Sequence, residues 1–160
     1  AHPADVPGQD LIRRISHIAS FPEFEGRLLL IEGYDLRLAR RLVAGVDVWL
    51  NNPIYPLEAS GTSGMKAGIN GAINLSVLDG WWVEGCIEGV TGWTIDHFPD
   101  TSSGTDADSL YKKLEQVVLP LYYKDRAGWI SIMKNTICKN ASFFNSHRMM
   151  RRYVTEAYMR

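Results

Sequence analysis

A single lysine, Lys66, follows a run of very small residues near the middle of the chain. The run includes Ser60, Gly61, Thr62 and Gly64, and it leads into a segment of helical pattern. A small-residue loop that enters a helix directs several backbone N–H groups and the positive end of the helix dipole at one point, which suits an anion such as a phosphate. The run lacks the Gly-Lys-Ser/Thr ending of a P-loop. From this pattern alone, an anion site and a helix that simply packs closely on a sheet both stay open.

Four segments before this run alternate in type. The spacing of apolar residues predicts an amphipathic helix over residues 8–20, and a second helix runs from an Asp35 cap to a Gly45 stop. Short apolar runs predict buried strands over residues 27–33 and 46–52. Strand, helix, strand in this order is the βαβ pattern of a parallel sheet, which binds ligands at the carboxyl ends of its strands.

The loop that leaves the second predicted strand is therefore the expected location of a site. Residues 51–56 contain two asparagines and two prolines, which disfavour regular structure, and Glu58 follows them. The stretch MKAGINGAINL, residues 65–75, then predicts a helix despite its glycines. These elements together predict an α/β fold.

Composition excludes several classes of function. The chain has 160 residues, 46% of them hydrophobic and 22% charged, and a formal net charge of -1. This composition is typical of one soluble globular domain and gives no electrostatic bias towards nucleic acid or anionic membranes. Cys86 and Cys138 lack the spacing of a disulfide framework or metal site, so we expect reduced cysteines, no metal and a cytoplasmic protein. The four histidines show no spacing of a triad or metal site and are expected to have surface or packing roles: His2, His17, His97 and His147.

Longer blocks carry a more specific signal. The stretch EASGTSGMKAGINGAINLSVLDGWWVEG, residues 58–85, resembles the signature of the α-glucan phosphorylases, the family of glycogen, starch and maltodextrin phosphorylases. Within it, LDGWW is similar to the shorter bacterial form of the family. The resemblance extends over essentially the whole chain, through the blocks AHPADVPG, GYDLRLARRLVAGVDVWLNNP, PLYYKDRAGW and SHRMMRRYV.

The resemblance implies a fold and a reaction. It implies that residues 1–160 are a single partial domain, part of the C-terminal Rossmann-like domain of a GT-B fold, with a parallel sheet, flanking helices and a C-terminal helical segment. It also implies reversible transfer of glucosyl units between the non-reducing end of an α-1,4-glucan and inorganic phosphate, which gives glucose 1-phosphate. The implied cofactor is pyridoxal 5'-phosphate, whose phosphate rather than its ring takes part in the chemistry.

Residue by residue, the resemblance assigns the cofactor site. Lys66 corresponds to the lysine in Schiff-base linkage with pyridoxal 5'-phosphate, and Thr62 corresponds to a residue that meets the cofactor phosphate; both are the implied catalytic residues. Gly61 and Tyr34 are similar to residues that line the cofactor pocket. Because a Schiff base needs an unprotonated amine, we expect small and apolar neighbours to desolvate Lys66.

The same resemblance assigns the substrate site. Glu58, Ser60 and Gly61 correspond to residues that contact the hydroxyls of the glucosyl unit. The resemblance also implies that the Gly61 N–H reaches the substrate phosphate. The chain departs from many family members at Ser63 and Gly64, where they carry Gly and Asn. The length and register of the loop are kept.

Two other functions are alternatives. Retaining GT-B transferases that use nucleotide sugars resemble this pattern, but they have a second glutamate eight positions after the first, where Lys66 follows Glu58 here. A glutamate can hold a ribose hydroxyl but cannot form an imine, so Lys66 favours the phosphorylase. The other alternative is a non-catalytic domain that only binds glucan.

Several weaker candidates have structural explanations. Trp81 and Trp82 could stack on a sugar, but we expect one core residue and one covering residue. Asp79 is expected to cap a turn before Gly80. Residues 96–109 are polar and predict a loop, and residues 140–160 predict a terminal helix that docks on another domain through an apolar stripe. That stripe comprises Phe143, His147, Met150, Val154 and Ala157.

Family members are several times longer than this chain. The resemblance implies an N-terminal part of the same enzyme that closes the cleft, and a block of basic residues that clamps the phosphates. We therefore expect the 160-residue chain alone to have negligible phosphorylase activity. An open sheet edge would also permit pairing between chains, which makes a homo-oligomer an expectation.

Overall fold

The computed structural model describes residues 2–98 and 104–159. The chain divides into two compact units, Ala1–Ala39 and Arg40–Arg160. Within the described ranges, no helix is long and apolar enough to cross a membrane.

The first unit contains helix α1, Val6–Ala19. A short 3-10 helix, Pro22–Phe24, follows it. Asp5 caps α1 because its carboxylate accepts a hydrogen bond from the Gly8 N–H at 3.0 Å. Helix α2, Leu36–Gly45, starts in this unit and continues into the second. Both predicted helices are confirmed.

The strand predicted over residues 27–33 is wrong. Leu29 and Ile31 are 70% and 52% exposed, and no described strand pairs with this segment. An apolar run becomes a strand only when a neighbour completes its backbone hydrogen bonds. Residues 27–33 have the composition of a strand but not the partner.

The second unit is built on a three-stranded parallel sheet. Its strands are β1, Val48–Asn51, β2, Ile73–Val77, and β3, Gly92–Ile95, in the order β1-β2-β3. Helix α3, Thr62–Ile69, connects β1 to β2. A βαβ unit is therefore present, but it is formed by β1, α3 and β2, later in the chain than predicted.

The helix predicted over residues 65–75 is correct only in its first half. Helix α3 ends at Ile69, and Gly71 turns the chain with a φ of +90° before β2 begins at Ile73. All five residues of β2 are buried because it is the central strand, covered on both faces. The edge strand β1 is only partly buried, with Leu50 48% exposed, although it was predicted as a buried strand.

Helices flank the sheet and close its core. Within the core, the rings of Trp93 and Trp129 lie 6.0 Å apart, and Leu75 and Val118 are buried beside them. In the described ranges, five further helices follow β2: α4, Trp82–Gly85, α5, Asp106–Lys113, α6, Leu119–Lys124, α7, Arg126–Asn135, and α8, Ser146–Tyr153. Wider π-helical turns extend three of them: Leu114–Val118, Thr136–Ala141 and Val154–Tyr158. The α/β class and the parallel sheet with flanking helices are confirmed.

The two cysteines differ in environment, which gives a chemical test of the fold. Burial, and to a smaller degree the Glu88 carboxylate, raise the pKa of the Cys86 thiol to about 12, whereas Cys138 is exposed. Because the thiolate is the species that reacts, we expect iodoacetamide at about pH 8 to modify Cys138 and spare Cys86. Mass spectrometry of the folded chain measures both sites, and a sample unfolded in urea is the control in which both react. Equal labelling of the two thiols in the folded chain would contradict the packing around α4.

Candidate functional site

Two loops meet at the carboxyl edge of the sheet. Residues 52–61 follow β1 and residues 78–81 follow β2. The Glu58 N–H donates a hydrogen bond to Asp79 Oδ2 at 3.0 Å, and the Trp81 N–H donates to the Ser60 carbonyl oxygen at 2.8 Å. The loop from β1 is thereby fastened to the turn from β2 on both sides of Ala59. We call residues 58–61 the acidic loop and residues 79–81 the clamp turn.

The clamp turn approaches the acidic loop so closely that it requires glycine. Gly80 has a φ of +54°, and its N–H is held by Asp79 Oδ1 at 2.9 Å. A Cβ at position 80 would lie 2.8 Å from the Ser60 carbonyl oxygen and 2.9 Å from Glu58 Cγ. The predicted turn at Asp79 is confirmed, and its second carboxylate oxygen also positions the backbone of Glu58.

Gly61 caps the N-terminus of α3. Its φ of +78° lies in the left-handed region, and an added Cβ would come within 2.8 Å of Glu58 Oε1. The Glu58 carboxylate therefore lies against the backbone of Gly61, at the start of the helix. The first N–H groups of α3, from Thr62 onwards, have no acceptor within the helix and carry the positive end of its dipole.

Thr62 and Lys66 are one turn apart on α3, so their side chains share a face of the helix. Both residues are exposed. The opposite face packs inwards through Ala67 and Gly68, where an added Cβ at Gly68 would lie 3.2 Å from Thr136 Cγ2. The small residues of this segment thus serve close packing on one side of α3, while polar residues stay accessible on the other.

Gly64 lies on the packed face of α3, where there is no room for a side chain. A Cβ there would lie 2.6 Å from Asn74 Oδ1 and 2.9 Å from Trp81 Nε1. The buried Asn74 side chain occupies this space, and its amide donates to the Gly64 carbonyl oxygen at 3.0 Å. The Asn74 side chain therefore occupies the space that a side chain at position 64 would need.

The structure brings five of the six predicted site residues into one loop and helix, residues 58–66. Tyr34 belongs to the first unit and is 72% exposed, so its contact with a cofactor stays a prediction. Lys66 is exposed in the described chain, so the desolvation expected for its amine also stays a prediction. No group of three His, Cys, Asp or Glu side chains within the described ranges is arranged to hold a metal ion.

Comparison with known proteins identifies the family. No protein-family model matches the chain. The chain is 51% identical over 163 residues to maltodextrin phosphorylase of Thermococcus litoralis, a match that covers 99% of this chain and 20% of that protein. It is 48% identical to glycogen phosphorylase of Aquifex aeolicus, over 99% of this chain and 24% of the relative. The chain belongs to the α-glucan phosphorylases.

The match is to one part of these enzymes. Glycogen phosphorylase of Mycobacterium bovis is 41% identical over 99% of this chain and 19% of its own length. The chain thus spans about a fifth of the length of the phosphorylases it matches.

Sequence reasoning missed the importance of the tryptophan pair in this phosphorylase-family chain. Trp81 and Trp82 are 5% and 0% exposed, so the prediction that one of them is a covering residue is wrong. Trp82 Nε1 donates to the Trp93 carbonyl oxygen at 3.3 Å, and Trp81 packs edge-on against Phe144 with ring centroids 5.3 Å apart. The available signal was the position of the pair, directly after the Asp79-Gly80 turn that follows the central strand.

A groove of about 900 Å³ opens beside the acidic loop. Ser60 and Thr62 line one side of it, and α8 with its π-helical extension, Val154–Tyr158, lines the other. The residues of this groove are Ala59, Ser60, Thr62, Met65, Gly80, Trp81, Glu84, Phe143, Phe144, Asn145, Ser146, Arg148, Met149, Arg152, Tyr153, Glu156 and Ala157. Glu58, Gly61 and Lys66, although described, are not among them.

The terminal helix keeps its predicted stripe exposed. No residue of α8 is buried, and Met150 and Val154 are 52% and 40% exposed. Two residues of that stripe, Phe143 and Ala157, line the groove, together with Arg148 and Arg152 from the same segment. Docking of residues 140–160 on another domain therefore stays a prediction.

The loop predicted over residues 96–109 is shorter than expected. Helix α5 begins at Asp106, and residues 99–103 lie outside the described residues. The Asp106 carboxylate contacts His97 Nδ1 at 3.0 Å, and this hydrogen bond holds the pKa of Asp106 below its usual value, with a smaller effect of the Phe98 N–H. His97 thus has a packing role, as predicted.

Substitutions at two glycines can distinguish a steric collision at the clamp turn from the backbone strain of a positive φ. Gly80 and Gly89 both have positive φ, but an added Cβ at Gly89 meets nothing within 4 Å. We expect Gly89→Ala to lower the free energy of unfolding by about 1 kcal/mol, and Gly80→Ala by roughly 2–4 kcal/mol, since it adds a collision with Ser60 and Glu58. Urea unfolding followed by tryptophan fluorescence measures both variants. Equal losses would mean that the acidic loop yields freely and is not held by the clamp turn.

Proposed function

We propose that this chain is the cofactor-bearing C-terminal part of an enzyme that transfers glucosyl units from the non-reducing end of an α-1,4-glucan to inorganic phosphate, with retention of configuration. The product is glucose 1-phosphate. The observation that carries the proposal is the position of Lys66 one turn after Thr62 on α3. The Gly61 cap and the rest of the acidic loop directly precede this helix in the sequence. The similarity to the two phosphorylases, which covers 99% of the chain, supports the proposal.

The residues present fit pyridoxal 5'-phosphate. This cofactor combines an aldehyde, which reacts with a primary amine, and a phosphate, which needs hydrogen-bond donors. Helix α3 presents the Lys66 amine and, one turn closer to its N-terminus, the Thr62 hydroxyl and the unpaired N–H groups of the first turn. Lys66 would hold the cofactor covalently, and Thr62 and Gly61 would hold its phosphate. When bound, the cofactor supplies a phosphate that acts as proton donor or electrostatic partner to the substrate phosphate.

The acidic loop has the chemistry of a glucosyl site. The Glu58 carboxylate accepts hydrogen bonds from sugar hydroxyls, and the Ser60 hydroxyl and Gly61 N–H supply donors. Because the Glu58 N–H is fixed by Asp79, the carboxylate starts from a defined backbone position. Defined positions reduce the entropy lost when substrate is oriented for reaction. The N-terminus of α3 adds a fixed positive potential for the phosphates that gather there.

An amine at position 66 also argues against nucleotide-sugar transfer. That reaction needs an acceptor for the ribose hydroxyls, and Lys66 offers only donors. A cytoplasmic location belongs to the proposal as well, since Cys86 and Cys138 are free thiols, as expected in a reducing compartment.

The cofactor site gives the most specific test of this function. The chain is incubated with pyridoxal 5'-phosphate, reduced with borohydride, digested and mapped by mass spectrometry. We expect the pyridoxyl group on Lys66, because among the lysines in the described ranges only this one has the proposed anion site one turn away on its own helix. Lys66→Arg, which keeps the charge but cannot form the imine, should abolish the labelling, and Lys112→Arg should leave it unchanged.

Labelling spread over all lysines would contradict the proposed cofactor site. Stabilisation of the chain against heat by UDP-glucose or ADP-glucose, but not by pyridoxal 5'-phosphate, would favour nucleotide-sugar transfer instead.

The chain by itself is expected to be nearly inactive. Relatives are about five times longer, so positioning groups and phosphate-binding charges come from outside these 160 residues. Their loss should lower phosphorolysis of maltodextrin by at least about a thousandfold. Release of glucose 1-phosphate by the purified chain, measured with a coupled dehydrogenase assay, tests this expectation. A rate close to that of a whole phosphorylase would show that the site is complete within this chain.

A further inference from the structure

We propose that His97 is a positioning residue for the loop that carries Glu58. His97 lies two residues after β3, and its ring packs against the ring of Tyr55 in the loop after β1, with ring centroids 5.1 Å apart and planes inclined by 36°. The end of the third strand thereby supports the loop that the clamp turn holds from the second strand. The role of Glu58 in binding a glucosyl unit rests on the proposed function.

The first half of this loop, residues 52–57, needs a support of its own. The hydrogen bonds of the clamp turn reach only the acidic loop, residues 58–61. Before it, a turn closes where the Leu57 N–H donates to the Ile54 carbonyl oxygen at 2.8 Å. The side chains of Ile54 and Leu57 are 75% and 77% exposed, whereas Tyr55 is 46% exposed. Tyr55 is therefore the side chain that fastens this turn to the rest of the protein.

Helix α5 holds the segment that carries His97. Asp106, in the first turn of α5, contacts His97 Nδ1 through one carboxylate oxygen and accepts from the Phe98 N–H through the other, both at 3.0 Å. The Asp96 N–H donates to Ser109 Oγ at 2.9 Å, and the Ser109 hydroxyl donates to Asp96 Oδ2 at 3.0 Å. Because Asp106 and Ser109 are one turn apart, the helix binds the chain on both sides of His97.

A histidine suits this position because it combines a polar edge with an aromatic face. Its Nδ1 edge bonds to the Asp106 carboxylate, while its face packs on Tyr55. Phenylalanine would keep the face and lose the bond to Asp106, and alanine would lose both. The imidazole thus links helix α5 to the loop after β1.

A carboxylate that orients a histidine also occurs in catalytic triads, where the histidine acts as a base. A base needs the group that it deprotonates within hydrogen-bond distance. Among the described residues, the hydrogen-bond partner of the His97 ring is Asp106, and its aromatic neighbour is Tyr55, packed ring to ring. This geometry is that of a support for the loop rather than of a base.

Supports on both halves of the loop limit the motion of Glu58. The turn over residues 54–57 ends directly before Glu58, so loss of the Tyr55 contact frees the backbone that leads to this carboxylate. Ordering a free segment when a ligand binds costs conformational entropy, which a loop that is already ordered avoids. His97 therefore acts on the site through Tyr55, without touching the ligand.

Hydrogen exchange of the Leu57 amide, followed by NMR on the 160-residue chain, measures whether His97 holds the turn. We expect His97→Ala to raise the exchange rate of this amide roughly three- to tenfold, as expected for loss of an aromatic pair, while the Leu75 amide in β2 changes little. His97→Phe keeps the ring face, so Leu57 should exchange more slowly in this variant than in His97→Ala. The control is His147→Ala, at an exposed histidine of α8, which should leave the rate unchanged.

A double-mutant cycle tests whether Asp106 acts through His97. If it does, Asp106→Ala raises the exchange rate of Leu57 in the wild-type chain but adds nothing in the His97→Ala chain. Asp108→Ala is the matched control on the same helix. Asp108 accepts from the Thr105 N–H and hydroxyl in the capping box of α5, so its loss weakens the same helix end but should leave the Leu57 rate unchanged.

Three results would overturn this inference: equal Leu57 rates in the wild-type and His97→Ala chains, equal rates in His97→Ala and His97→Phe, or an equal rise in Asp108→Ala. A Leu57 amide that exchanges like an unstructured peptide in the wild-type chain would overturn it as well. The proposed function still stands in each case if pyridoxal 5'-phosphate labels Lys66 selectively. Scattered labelling, with Leu57 exchange that depends on His97, would support the positioning role and contradict the proposed function.

Discussion

The acidic loop keeps its shape because the turn that follows the neighbouring strand holds it. Residues 52–61 make no strand or helix, and their ordering opposes folding through lost backbone entropy. Two hydrogen bonds offset part of this cost: Glu58 N–H to Asp79, and Trp81 N–H to the Ser60 carbonyl. Gly80 permits the approach, because any side chain there would collide with the loop. The parallel pairing of β1 with β2 brings these two segments to the same edge.

Helix α3 depends on the same arrangement. Gly61, the last residue of the acidic loop, is also the cap of the helix, so the backbone that presents Glu58 fixes the direction in which α3 begins. Buried small residues let the helix approach the sheet, and Thr62 and Lys66 share an exposed face. The loop that we propose for sugar hydroxyls and the helix that we propose for a phosphate-bearing cofactor are thereby joined at Gly61. This junction is the structural basis of the proposed transfer between glucan and phosphate.

Local signals were sufficient for some elements. Helix α2 was predicted from its Asp35 cap, whose carboxylate accepts from the Leu38 N–H at 2.7 Å, and from its Gly45 stop. Local signals failed where the secondary structure of a segment depends on a partner that is distant in the sequence. Residues 27–33 predict a strand but pair with none of the described strands, and residues 73–75 predict a helix because a buried apolar run has no diagnostic period.

The candidate site, too, could be predicted from the sequence only in part. Its residue types followed from the resemblance of residues 58–66 to a family signature. The role of Asp79 in holding Glu58, 21 positions earlier, depends on the strand register and could not be read from either segment. The burial of both Trp81 and Trp82 likewise depends on contacts with Phe144, far along the chain, and with Trp93 on the neighbouring strand β3.

Native-state hydrogen exchange of the Glu58 and Trp81 amides, followed by NMR, tests most directly whether the clamp turn holds the acidic loop. If it does, both amides are protected in the wild-type chain, and Asp79→Ala raises the exchange rates of both while amides of β2, such as that of Leu75, change little. Glu58 exchanging at the rate of an unstructured peptide while Trp81 stays protected would show that the loop moves independently. The account of how this sequence builds its site would then be wrong.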